Sequence, residues 1–130
     1  MRPIISETDY NTIHSLIIHL PASHRTKEIG QLQTELNSAL RVPDEKISED
    51  VIRLNSYFEV EEVTSGKILN LWLVMPKQAN ISLQKISILS PLGVALIGFR
   101  EGMLIDWVLP GGPKKLKILK VVNEELSARS

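Results

Sequence analysis

Near Ile52 the spacing between apolar residues drops from three or four to two, and this switch constrains the fold more than any other feature of the chain. Before it, Tyr10, Ile13, Ile17 and Leu20 fall three and four apart, and Ile29, Leu32, Leu36 and Leu40 do the same. An α-helix brings such positions onto one face, so each set predicts one apolar stripe. After it, Ile52, Leu54, Phe58 and Val60 are interleaved with Arg53, Asn55, Tyr57 and Glu59, the pattern of a half-buried strand. Helices come first and strands follow, which predicts an α+β chain.

The helical part has clear punctuation. Ser6 precedes the first stripe and Asp9 lies three residues on, the spacing of a capping box with Asp in place of Glu. Pro21 stops the first helix, because proline lacks an amide hydrogen and restricts the residue before it. Pro43 ends the second. Two apolar stripes joined by a short loop predict an antiparallel helical hairpin, a short coiled coil, over residues 1–43. The charged stretch 42–50 is the predicted connection, and residues 44–130 are the predicted second domain.

That second part alternates strands with turns. Thr64-Ser65-Gly66-Lys67 is a turn between the first strand and a more apolar, central one over 68–75. Pro76 ends the latter, and a third strand covers 85–89. Pro91 suits the first turn of a short helix, where a missing amide costs nothing, and Gly98 or Gly102 would end it. Residues 103–109 and 115–122 give the last two strands, joined by Pro110-Gly111-Gly112-Pro113. The expectation is an antiparallel sheet of four or five strands with one short helix against a face. The tail at 127–130 is expected to fray.

Composition removes several classes of function. Fifteen basic and fifteen acidic residues leave no net charge, hence no general attraction for phosphate backbones. The six aromatic residues are not interleaved with basic ones in a base-stacking pattern. No direct nucleic-acid partner is expected. With no cysteine there is neither a disulfide framework nor a thiolate metal site. The longest apolar run, 86–99, is interrupted by Ser87, Ser90, Pro91, Gly93 and Gly98, so no membrane span is expected and the chain reads as soluble and cytoplasmic. His14 and His19 are five apart and do not meet on a helix. No nucleophile–base constellation stands out. The expectation is a chain with no catalytic residue, no metal and no cofactor. Glu59 and Glu61 should share an outward strand face, and Lys114, Lys115, Lys117 and Lys120 should guard the last strand against edge pairing.

Three segments carry a more specific message. Ser90-Pro91-Leu92-Gly93 is a strand-to-helix corner, in which the Ser90 hydroxyl can accept from free helix amides. Leu109-Pro110-Gly111-Gly112 is a glycine hairpin turn. The hairpin tip, Leu20-Pro21-Ala22-Ser23-His24-Arg25, contains no carboxylate. The run from Ser90 to Gly98, with Gly102 and the turn at Leu109–Gly112, resembles the C-terminal domain of the GreA/GreB transcript-cleavage factors. With its short hairpin, almost the whole chain resembles the Rnk (regulator of nucleoside diphosphate kinase) family.

This resemblance implies an FKBP-like sheet domain and RNA polymerase as partner, met at the rim of the secondary channel. In GreA and GreB the equivalent corner contacts that rim, which makes Ser90, Pro91 and Leu92 the expected partner-binding residues. Leu89 stands where GreB carries an acidic residue. In the cleavage factors a pair of acidic residues at the tip of a long coiled coil helps to hold a catalytic magnesium. The carboxylate-free tip here implies a polymerase-binding regulator that competes with Gre factors without cleaving transcripts. Two other readings remain at this point, an FKBP-like prolyl isomerase and a generic dimerisation module.

Overall fold

The fold is that of a computed structural model, which describes residues 2–123. The expectation for the tail at 127–130 lies outside the described residues.

Strand β1 (Ile4–Ser6) runs directly into helix α1 (Glu7–Ile18). Ser6 caps α1, its hydroxyl accepting from the Asp9 amide at 3.2 Å. A 3-10 turn at Ala22–His24 follows Pro21 and leads to helix α2 (Lys27–Ser38), capped by Thr26. Ile13 and Ile17 of α1, and Ile29, Leu32 and Leu36 of α2, are buried. Five apolar residues at helical spacing thus face inward where the stripes predict. Leu40 does not: the helix stops at Ser38, and Leu40 opens strand β2 (Leu40–Val42), where it is 47% exposed. β2 pairs in parallel with β1, an element that three residues are too few to announce by periodicity.

Strands β3 (Tyr57–Glu62), β4 (Lys67–Val74), β5 (Lys85–Ser87), β6 (Leu104–Leu109) and β7 (Gly112–Val122) form one sheet in the order β5-β4-β3-β7-β6. The predicted antiparallel sheet is corrected to a mixed one, because β5 joins β4 in parallel. Residues 75–84 allow this. They contain two 3-10 turns, Pro76–Gln78 and Ile81–Leu83, and Gln84 at φ 62°, and so bring the chain back alongside Trp72, from where β5 runs beside the last residues of β4. Strand β3 begins five residues later than the alternation suggests. Asn55 has φ 72°, and Ile52 instead bonds the backbone beyond the short helix, donating to Phe99 O and accepting from Gly98 N, each at 2.9 Å. Ile52 and Leu54 remain buried, so the alternation marked burial correctly and overstated the strand.

β4 has a neighbour on each side, as its apolar run suggests, although β3 is the middle strand. β7 lies between β3 and β6, so its lysines do not guard an edge; the edges are β5 and β6. Register instead sets Lys115 opposite Asp106 and Lys117 opposite Glu61. These pairs lie on the face away from the helices.

The short helix α3 (Pro91–Leu96) is buried from Gly93 to Leu96. Its residues form one core with Phe58, Val60, Leu73, Leu116 and Ile118 of the sheet and with the stripes of α1 and α2. Gly98, at φ 84°, receives β1: the Ile4 amide donates to Gly98 O at 2.8 Å. A Cβ on Gly98 would stand 2.6 Å from Pro3 Cβ, closer than unbonded carbons approach. Among the described residues no helix is long and apolar enough to cross a membrane.

Candidate functional site

The corner at residues 90–93 is built by hydrogen bonds from both sides. Ser87 and Ser90 each use their hydroxyls locally: the Leu89 amide donates to Ser87 Oγ at 2.9 Å, and Ser90 Oγ donates to Ser87 O at 2.7 Å. Ser90 Oγ also accepts from the Gly93 amide at 3.1 Å, which is the expected N-cap. Pro91 occupies the first helical position. Gly93 is required because a Cβ there would overlap the Ser87 carbonyl oxygen and press on Leu73. Ser90, Pro91 and Leu92 are half-buried, whereas the residues from Gly93 to Phe99 are buried. The corner is therefore a rigid shelf with three residues at the surface.

Two concavities flank it. One, of about 960 Å³, runs along α1 and reaches the corner at Leu89; Leu16, Leu20 and Met75 line it, with Lys77 and His19 on its border. A smaller one, of about 170 Å³, lies on the other side of Pro91, between the start of α2 and Val108 and Pro110. The larger groove escapes the periodicity argument, which follows only the buried stripe of α1. The signal for it is Leu16, apolar yet off that stripe and half-buried.

The connection between α1 and α2 is exposed from Pro21 to Thr26. The nearest carboxylate, Glu28, lies in the first turn of α2. None of the three histidines joins a cluster. His14 stacks on Tyr10 with ring centroids 5.9 Å apart, Arg41 lies 4.3 Å over the Tyr10 ring, and His19 Nδ1 is 2.8 Å from Ser15 O. Among the described residues no group of three or more His, Cys, Asp or Glu side chains could hold a metal ion.

The helical arm is tied to the sheet part at several points. The Leu54 amide donates to Asp9 Oδ2 at 3.1 Å, and Arg53 Nε lies 3.9 Å from the same oxygen. Thr8 bonds Asp44 through both its amide and its hydroxyl. The Ile4 amide donates to Gly98 O at 2.8 Å.

The mixed sheet and its capped helical corner fall within residues 47–123, which match the family described as transcription elongation factor, GreA/GreB, C-terminal, and the chain belongs to that family. Within it, the chain is 31% identical to the regulator of nucleoside diphosphate kinase of Escherichia coli K12, over 84% of this chain and 79% of that one. Similarity to GreA is more partial: 40% identity to the Syntrophus aciditrophicus protein, covering 71% of this chain and 59% of the relative. In three dimensions the chain is similar to a prokaryotic transcription elongation factor GreA/GreB from Nitrosomonas europaea, with TM-score 0.76, 32% identity, and coverage of 95% of this chain and 99% of that one.

Proposed function

We propose that this chain is a non-catalytic transcription regulator that docks on RNA polymerase near the secondary channel through Ser90, Pro91 and Leu92, and competes there with Gre-type factors. The observation that carries the reading is the pairing of a rigid, surface-lying corner with a tip free of carboxylates. Hard divalent cations need several oxygen ligands close together, and Pro21 to Arg25 offers no carboxylate oxygen. The arm is also short. The twelve residues of α1 extend only about 18 Å at 1.5 Å per residue. Docked by the corner, it would occupy the mouth of a channel without delivering a metal ligand to its end.

On this reading residues 1–43 are the probing hairpin and residues 44–130 the docking module, working in the cytoplasm with no cofactor. The polymerase is the partner, and nucleic acid is not contacted directly. No observation favours the prolyl-isomerase or dimerisation readings.

The test is a pull-down with core RNA polymerase, repeated with increasing amounts of a GreA-type factor. Retention at micromolar concentration, lost on competition and weakened by Ser90→Glu, is the expected result. Failure of the wild-type chain to bind, or equal binding of wild type and Ser90→Glu, would overturn the proposal.

A further inference from the structure

We infer that the sheet face turned away from the helices carries a binding site centred on Trp72, and that it takes an acidic, proline-bearing peptide in the polyproline II conformation. None of residues 90–93 lines it, so the site is separate from the corner.

Strand alternation puts the site on that face. Phe58, Leu71 and Leu73 belong to the core shared with the helices, so Tyr57, Trp72 and Val74 point the opposite way. Register sets Tyr57 opposite Trp72 and Trp72 opposite Lys85, a row of three residues on three neighbouring strands. Trp72, Val74 and Lys85 line a cavity of about 280 Å³ together with Asn55 and Gln78. That volume suits one or two side chains of a peptide rather than a whole cofactor. Backbone bonds hold its frame. The Asn55 amide donates to Leu73 O at 2.6 Å, the Trp72 amide to Gln84 O at 2.8 Å and the Gln78 amide to Met75 O at 2.9 Å.

The polar groups of the cavity are unengaged. Among the described residues, none bonds the side-chain amides of Asn55 and Gln78, the indole N–H of Trp72 or the ammonium of Lys85. The Trp72 N–H is open to solvent, whereas that of Trp107 is buried. Four side-chain donors thus converge on one aromatic cavity, and no carboxylate lines it.

The spacing selects the occupant. The Tyr57 and Trp72 ring centroids lie 5.2 Å apart, and the rings are tilted by 55°. Alternate residues of a polyproline II segment lie about 6 Å apart, so two prolines separated by one residue can each rest on one ring. Neighbouring strands are about 4.8 Å apart, so the next alternate residue of the segment arrives beside Lys85. A carboxylate is attracted there and an ammonium repelled. At the other end of the row Glu59 accepts from the Tyr57 hydroxyl at 3.0 Å, which sets the direction: the acidic end of the peptide lies at Lys85. A polyproline II backbone makes no internal hydrogen bonds, so its carbonyls are free to accept from Asn55, Gln78 and Trp72. Its conformation is preformed, which lowers the cost of ordering it. The recognised pattern is Pro-x-Pro-x-Asp or Pro-x-Pro-x-Glu.

The test titrates the isotopically labelled full chain with three capped peptides, Pro-Ala-Pro-Ala-Glu, Pro-Ala-Pro-Ala-Lys and Ala-Ala-Ala-Ala-Glu, and follows backbone amide and indole resonances by NMR. The first peptide is expected to give saturable shifts at Asn55, Trp72 and Gln78. Affinity should be about tenfold weaker for the alanine peptide and several-fold weaker for the lysine one, the latter difference shrinking at high salt. Trp72→Ala should lose binding. Lys85→Glu, which leaves the aromatic row intact, should reverse the preference between the glutamate and lysine peptides. Ser90→Glu should bind the first peptide as wild type does. No shifts at millimolar peptide, shifts centred on other residues, equal affinity for the three peptides, or an unchanged preference in a folded Lys85→Glu would each overturn the inference. Loss of peptide binding in a folded Ser90→Glu would do so too. Polymerase docking is read separately by the pull-down, so the failure of one leaves the other standing.

Discussion

The backbone amide of Leu54 donates to the carboxylate of Asp9 at 3.1 Å, across forty-five residues of chain, and so fastens the first helix to the segment that enters the sheet. Asp9 is only 7% exposed, and Arg53 sits beside it with its Nε buried. Asp9→Ala should therefore leave a buried amide and a buried guanidinium uncompensated. The expected loss is about 2–3 kcal/mol in urea unfolding, against a negligible change for Glu7→Ala on the exposed start of the same helix.

Gly98 is the seat of the N-terminal strand. Its φ of 84° disfavours any side chain, and an added Cβ would meet Pro3 and the Ile4 backbone. Gly98→Ala should cost about 2–4 kcal/mol. Hydrogen exchange reads the cause: the Ile4 amide, which donates to Gly98 O, should lose its protection before the amides of β3 do.

At the corner three substitutions at two positions separate in size. Ser90→Ala removes one cap and should cost about 1 kcal/mol, whereas Ser90→Thr keeps the hydroxyl and should cost a few tenths. Gly93→Ala forces a methyl against the Ser87 carbonyl and should cost about 1–3 kcal/mol. Thermal unfolding of the three variants gives the ranking, and an unchanged melting temperature for Gly93→Ala would contradict the described packing.

Two carboxyl groups should shape stability against pH with opposite signs. The Ser48 hydroxyl, followed by Arg100, holds the Asp50 carboxyl below its ordinary value. Its contribution is then present in full above the usual carboxylate range and disappears as pH falls through the lowered value. Asp50 is more than one-third exposed, so the amount is under about 1 kcal/mol. Burial pushes the Glu35 carboxyl up, so its ionised form opposes folding at neutral pH. Asp50→Asn should be less stable than wild type at pH 7 and indistinguishable in strong acid. Glu35→Gln should be more stable at pH 7, with the gain vanishing as pH falls.

What could be read from the sequence follows from what each residue pattern encodes. The inward set Ile13, Ile17, Ile29, Leu32 and Leu36 was legible because helix period and burial coincide. Phe58 and Val60 were legible for the same reason at period two. Ser6 and Ser90 announced the caps of α1 and α3. The parallel pairings of β1 with β2 and of β4 with β5 were not legible, since each involves a three-residue strand whose direction depends on the connection. The end of α2 was misplaced because Leu40 keeps the spacing of a helical stripe while lying in a strand. The corner was visible as a motif; the groove beside it was not, because its two walls are Leu16 and Leu20 on one side and Met75 and Leu89 on the other, some sixty residues apart.

The middle strand of the sheet has its two neighbours at very different distances along the chain: β4 follows it at once, whereas β7 comes only after β4, β5 and β6. During synthesis the inner faces of Phe58 and Val60 must wait for Leu116 and Ile118 to emerge from the ribosome. A nascent chain stalled before that point would carry an unfinished sheet with an open, apolar flank, the kind of surface on which chaperones act. The order of strands thus makes closure of this sheet wait for β7, about fifty residues further along the chain than β3.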